Sequence, residues 1–195
     1  PIGEYKLKEI KTDDLHNLND EIIIVDVLDK FATKIKVGNT RIKGQIEITK
    51  TSEDDNFING EKAGTPIPDV QFEVYDWNNK KVDVITTDKY GKAITKKLDK
   101  GRYTLKEVKS GKWYILNSEE QFVDIVKNGE IVQVNITNIS EKPGVKVEKD
   151  GINKAKANEE IKYDFSIKNT GNVPLDDFTW YDYLPTGYVK ATKFA

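Results

Sequence analysis

Three polar side chains stand where a β-strand pattern calls for apolar ones. Lys50 shares parity with Ile46 and Ile48, Glu107 with Tyr103 and Leu105, and Asn138 with Val132, Val134 and Ile136. Side chains alternate faces along a strand, so an amine, a carboxyl and a carboxamide are expected to face one core. Burying any of them unpaired is expensive. Two arrangements relieve that cost. One is an ion pair between Lys50 and Glu107 with Asn138 hydrogen-bonded beside it. The other is an amide between the Lys50 amine and the Asn138 side chain. Burial favours a neutral amine and a protonated carboxyl. A neutral Lys50 can attack the carboxamide, with Glu107 polarising the carbonyl and moving protons as ammonia leaves. A fold that holds the groups together supplies the proximity. Parity alone does not choose between the two.

The elements that would position these residues are short strands. Turn signals break the chain every ~8–12 residues, the spacing of an all-β sandwich. The alternation predicts strands at Gly44–Lys50, Val70–Asp76, Lys81–Thr87, Lys92–Leu98, Arg102–Val108, Gln121–Val126 and Ile131–Asn138. Turns are expected at Asn78-Asn79, Asp88 to Gly91, Lys100-Gly101 and Asn128-Gly129, the last as a hairpin turn because Asn and Gly tolerate positive φ. No segment shows sustained helical periodicity with caps.

The chain has 195 residues, a third of them charged, with a formal net charge of −2 and both signs interspersed. That describes a solvated surface and argues against a nucleic-acid footprint. Lys6, Lys8, Lys34, Lys36 and Lys106 fall on outward parity. The longest aliphatic run is Ile22 to Val25, too short to span a bilayer, so no membrane contact is expected in this segment. Cysteine is absent, which removes disulfides and thiolate zinc sites. Methionine is absent too, so the chain reads as an internal piece of a longer protein.

An internal repeat divides the chain. Gly3 to Thr12 matches Gly101 to Ser110 at an offset of 98, and Ile35 to Asn39 matches Val134 to Asn138 at an offset of 99. Residues 1–42 therefore read as the back part of a module whose complete copy is residues 43–140. The partial copy carries Glu9 and Asn39 at the positions of Glu107 and Asn138, with no lysine partner. After Glu141-Lys142-Pro143-Gly144 the pattern changes. Residues 141–195 read as the front of a different β-domain, with strands expected from Val145, over Ile161–Ile167, and from Phe178 to Tyr183.

Residues 43–140 resemble a Cna B-type domain, a prealbumin-like (inverse immunoglobulin-like) fold of Gram-positive pilins and adhesins. The likeness rests on Gly44-x-Ile46-x-Ile48-x-Lys50, Val70-x-Phe72-x-Val74-Tyr75, Thr87-Asp88-x-x-Gly91, Gly101-x-Tyr103-x-Leu105-x-Glu107 and Val134-x-Ile136-x-Asn138. Val108 to Tyr114 depart from the family's usual Ala-Pro-x-Gly-Tyr stretch, which affects a loop and not the three polar positions. The resemblance implies an all-β chain of immunoglobulin-like sandwich domains in tandem. It implies an isopeptide bond between Lys50 and Asn138 assisted by Glu107, formed once and without cofactor or metal, so that the protein is not an enzyme in the usual sense. It further implies an extracellular stalk anchored to the cell wall through a segment outside this one, with neighbouring domains as its partners and sortase acting elsewhere on it. The alternative is an adhesin module gripping a host matrix protein or a glycan. A third reading is an accessory module attached to a hydrolase.

Residues 145–195 resemble an immunoglobulin-like surface repeat, on Lys168 to Leu175 and Asp182-Tyr183-Leu184-Pro185. Lys149 lies on inward parity with Val145 and Val147, and Asp182 with Phe178 and Trp180. They are either a second nucleophile and helper or a solvated strand-end pair. Weaker signals have plainer readings. Leu184-Pro185-Thr186-Gly187 lacks the residue a sorting signal needs between Pro and Thr and reads as a turn. Ser52 to Asn56 is an acidic loop without calcium-loop spacing. His16, the single histidine, reads as a loop residue without a nucleophile partner. Trp77, Trp113 and Trp180 read as packing residues ahead of a glycan platform.

Overall fold

The computed structural model describes residues 1–29, 31–152 and 154–183. Every regular element among them is a β-strand, and no helix is long and apolar enough to cross a membrane. The chain divides into two compact units, Pro1–Ser140 and Glu141–Ala195. The first begins with β1 (Gly3–Lys8) and β2 (Ile22–Val27), an antiparallel pair with Tyr5 opposite Val25.

Eight strands follow: β3 (Lys43–Ser52), β4 (Gln71–Asp76), β5 (Lys81–Thr86), β6 (Lys92–Ile94), β7 (Leu98–Asp99), β8 (Gly101–Lys109), β9 (Gln121–Ile125) and β10 (Ile131–Asn138). They form two sheets. One runs β10-β3-β6 with β7 also on β3, and the other runs β5-β4-β8-β9. Ile46 and Ile48 of β3, Phe72 and Val74 of β4, Leu105 of β8 and Ile125 of β9 meet in the core between them, each at most 1% exposed. The longer strands are rich in β-branched and aromatic residues, which suits a half-buried pleated surface. The module's first and last strands, β3 and β10, run parallel, with Ile136 opposite Lys50 and Asn138 opposite Ser52.

In this unit two sequence expectations change. The stretch Lys92–Leu98 splits into β6 and β7, because Thr95 Oγ1 takes the Ile46 N–H at 3.0 Å and the Lys96 N–H turns to Asp83 at 2.8 Å. Asn128-Gly129 is a turn, with Gly129 at φ +76°, but it is no hairpin. Strand β9 pairs β8 while β10 pairs β3, so the turn crosses between sheets. It is tied to β3 instead: Asn128 Oδ1 accepts from the Lys43 N–H and the Gly129 N–H donates to the Lys43 carbonyl. Residues 35–39, which copy the end of β10, form no strand, since no described segment takes β3's parallel place beside them.

Among its described residues the second unit holds one antiparallel pair, β11 (Val145–Gly151) and β12 (Tyr163–Asn169), with Lys149 opposite Phe165. The strand expected from Phe178 to Tyr183 is not there. That segment packs through side chains instead: Trp180 lies 4.8 Å from the Phe165 ring, and Asp182 reaches Lys149. Leu184-Pro185-Thr186-Gly187 lies outside the described residues.

Candidate functional site

The three polar positions converge. Lys50 is the largest fully buried side chain of the protein's described residues, at 0% exposure, and the side chains of Glu107 and Asn138 are buried with it. Strands β3 and β10 deliver the amine and the carboxamide side by side within one sheet. Strand β8 delivers the carboxyl from the facing sheet. The Lys50 amine donates to Asn138 Oδ1 at 2.5 Å and to the Thr137 carbonyl at 2.9 Å, and lies 2.9 Å from Glu107 Oε2. Asn138 Nδ2 donates to Glu107 Oε1 at 2.6 Å and to Ser110 Oγ at 3.1 Å. The Phe72 ring closes the site, its centroid 5.7 Å from the amine.

Burial pushes the Lys50 amine below its ordinary value, against the opposing pull of its hydrogen bond to Glu107 and the charge of that carboxylate. The result is an amine less basic than an ordinary lysine's, held against a carboxamide. Glu107 touches the carboxamide nitrogen, not the carbonyl oxygen where the sequence reading put it. Its two oxygens therefore bridge the nucleophile and the group that would leave.

Backbone features fix this geometry. The Lys50 N–H donates to the Gly91 carbonyl at 2.7 Å. Gly91 has φ +68°, and a Cβ there would come within 2.3 Å of the Lys50 carbonyl oxygen, so Gly91 of the Thr87-Asp88-x-x-Gly91 motif is required by the strand that carries the lysine. Sequence reasoning did not single out Ser110, Phe72, Gly91 or Thr137 as parts of the site. Ser110 had a visible signal: Thr12 keeps a hydroxyl at the same place in the partial copy.

Glu9 and Asn39 also come together. Asn39 Nδ2 donates to Glu9 Oε1 and to Thr12 Oγ1, both at 2.7 Å. These hydrogen bonds, first from Asn39 and then from the Asn19 N–H, hold the Glu9 carboxyl below its ordinary value. Lys149 and Asp182 meet at 2.9 Å, with the amine 4.1 Å from the Tyr163 ring centroid. That pair is a third exposed on the lysine side and differs sharply from Lys50.

The weaker signals resolve into local roles. Asp54 accepts the Ser140 N–H, and Asp55 binds Lys62 at 2.8 Å and the Ala63 N–H at 3.0 Å, so the acidic loop uses its carboxylates on its own fold. No cluster of three or more metal-type side chains occurs among the described residues. His16 pairs with Asp13 at 2.7 Å and bridges Arg41 in an isolated β-contact. Trp77 is exposed at the β4–β5 turn, Trp113 sits at φ +69° and Trp180 stacks on Phe165.

Comparison with known proteins agrees with this architecture. The chain is 46% identical over 55 residues to the trypsin-resistant surface T6 protein of Streptococcus pyogenes serotype M6, a match covering 28% of this chain and 10% of that protein. It is similar to the structure of the Bacillus anthracis TIE protein, with a TM-score of 0.63 and 25% identity over 87% of this chain and 36% of that one. The T6 backbone pilin structure matches 52% of this chain and 21% of its own length at 31% identity, with a TM-score of 0.39. The chain thus spans about a third or less of the length of each of these relatives. Residues 44–140 match the profile of the SpaA prealbumin-like fold domain. This middle module belongs to that family, and the described residues form an all-β structure.

Proposed function

We propose that this chain is a tension-carrying stalk segment of a Gram-positive surface protein, and that its middle module closes itself with an amide between Lys50 and Asn138. The observation that carries the reading is the fully buried Lys50 amine, 2.5 Å from the Asn138 carboxamide oxygen and 2.9 Å from Glu107. Lys50 first passes a proton to Glu107 Oε2 and becomes nucleophilic. Its nitrogen attacks Asn138 Cγ and loses a second proton as the new C–N bond forms. Glu107 delivers a proton to Nδ2, the old C–N bond breaks, and the nitrogen departs with both protons as ammonium. Buried side chains, not an external enzyme, supply the proximity.

The mechanical consequence follows from topology. Tension entering at Lys43 runs along β3 to Lys50, crosses to Asn138 and leaves after Ser140. Everything between the linked residues is bypassed. The link closes a loop of 88 positions, for which a chain-entropy treatment borrowed from disulfides gives ~4.5 kcal/mol. Protease resistance, which the name of the streptococcal relative also carries, follows from the same closure. Residues 1–42, 43–140 and 141–195 serve in this reading as successive modules, with neighbouring modules as their partners and the cell surface as their location. Lys149 and Asp182, each a third exposed or less, work in this reading as an ion pair.

Intact-mass measurement tests the proposal. The chain is expected to be one ammonia short of its sequence mass. Lys50→Ala and Asn138→Ala each restore the full mass, and Glu107→Ala restores it while the module still folds. A full mass for the unmutated chain overturns the reading.

A further inference from the structure

We infer that the cleft beside the β4–β5 turn of the middle module binds a densely sulfated polysaccharide, independently of the chemistry at Lys50. The cleft has a volume of about 520 Å³ and is walled by that turn, the β6–β7 connection and the start of β3. Seven cationic residues line it against two acidic ones, on a chain whose net charge is −2. The two acids are already committed. Asp76 Oδ1 accepts the Asn78 and Lys80 N–H groups at 2.9 Å each, and Asp99 binds Arg41 at 2.8 Å and Lys43 at 3.0 Å. Lys81 pairs with Glu73 at 2.8 Å, and Lys100 donates to the Asp14 carbonyl at 2.9 Å. Lys80, Lys96 and Lys97 are exposed and, among the described residues, meet no carboxylate. Positive charge gathered in a concave site focuses the local field and draws anions in.

The fold sets these groups in place. The Lys96 N–H donates to Asp83, which interrupts the alternation after β6, so Lys96 and Lys97 are exposed in succession. The β4–β5 turn is clamped by the Asp76 carboxylate and by the Asp76 N–H donating to the Lys80 carbonyl at 3.0 Å. It holds Trp77 78% exposed beside the lysines. An indole so placed offers its face to the apolar side of a sugar ring. Arg41 is engaged by Asp99, which leaves point-charge ammonium groups rather than a planar fork, and these suit sulfate esters. A second cleft, of about 690 Å³, shares Arg41, Lys43 and Lys97 with the first. Cations reached from two clefts suit a chain better than a single small anion. The first cleft has the volume of a small-molecule pocket and encloses only a few sugar rings. Three unpaired ammonium groups there call for more charge than the single carboxylate per disaccharide of an unsulfated chain. Single-stranded nucleic acid fits less well. It stacks successive bases on several rings, and Trp77 is the one strongly exposed ring lining either cleft.

The test measures binding of the full chain to immobilised heparin, the sulfated probe, at several salt concentrations. Hyaluronan, which carries carboxylates alone, and oligothymidylate are the comparison ligands. Heparin binding that weakens as salt rises is expected, with both comparison ligands about tenfold weaker or more. Lys80→Gln, Lys96→Gln and Lys97→Gln combined should weaken heparin binding about tenfold or more and flatten its salt dependence, with the unfolding midpoint unchanged. Removing the same charge elsewhere, through Lys89→Gln, Lys109→Gln and Lys112→Gln, should leave affinity within about twofold. Trp77→Ala should weaken binding about 3–10-fold and leave the salt dependence unaltered. Absence of heparin binding, equal losses in the two triple variants, or full affinity in Trp77→Ala overturns the inference. Equal or tighter binding of hyaluronan overturns it too, and the same result with oligothymidylate reassigns the cleft to nucleic acid. None of these outcomes bears on the Lys50–Asn138 link, which intact mass decides separately.

Discussion

The middle module and the partial copy carry the same carboxyl, carboxamide and hydroxyl, yet among the described residues only the middle module brings a lysine amine to them. Asn138 and Glu107 are sealed between two sheets with a fully buried amine. Asn39 and Glu9 make equally short contacts on a face that water reaches. The contact geometry is thus local. It comes from one β-hairpin and the segment returning beside it. What β3 and β4 add is the amine and its cover, and burial lowers that lysine's basicity while the sheet holds the nucleophile in place.

Breaking the link separates the two regions most. Asn138→Ala removes the cross-tie and is expected to destabilise the middle module by roughly 4–5 kcal/mol in denaturant unfolding. Asn39→Ala removes only partly exposed hydrogen bonds and should cost about 1 kcal/mol or less. Equal losses in the two variants would erase the distinction. Trypsin digestion gives an independent readout, with Asn138→Ala cut far faster than the unmutated module.

Gly91→Ala comes next. It forces a side chain into φ +68° and against the Lys50 carbonyl. A loss of about 1–3 kcal/mol is expected from backbone strain. Mass spectrometry should also show a population that keeps its ammonia, since the strand bearing the nucleophile has shifted.

A pH dependence should appear only where the link is broken. In Asn138→Ala the folded Lys50 binds its proton less tightly than the unfolded chain does. The unfolded state therefore holds more protons as pH rises toward the ordinary lysine value of 10.5, and stability should climb through that window. In the linked protein Lys50 no longer titrates and this slope should vanish. Denaturant midpoints measured across alkaline pH check it; identical slopes in both proteins would contradict the assignment.

Ser110→Ala has the smallest expected effect. The hydroxyl accepts from Asn138 Nδ2 at 3.1 Å. Its removal should cost about 1 kcal/mol before linkage. It should also slow bond formation, followed by mass after refolding, by letting the carboxamide turn. Because Ser110 acts through Asn138, Ser110→Thr should restore the rate, as Thr12 makes the equivalent contact in the partial copy.

Much of the site was readable from parity. Ile46, Ile48 and Lys50 alternate so regularly that a core-facing lysine was the only consistent register, and β8 and β10 gave the same answer for Glu107 and Asn138. The misreadings share one cause. Asn128-Gly129 looks like a hairpin turn, and Phe178–Tyr183 looks like a strand, because local sequence reports turn and strand preference but not which strand is the partner. Thr95 and Lys96 interrupt their strand through bonds to Ile46 and Asp83, residues distant in sequence.

The sequence by itself determined which side chains turn inward, where the module repeats and which polar groups share a core, because alternation and self-similarity are properties of the chain. Tertiary structure alone decided that β3 and β10 lie parallel, that the carboxyl arrives from the opposite sheet, and that it meets the carboxamide nitrogen. Those facts depend on pairing between segments far apart along the chain, and no local preference encodes such a choice.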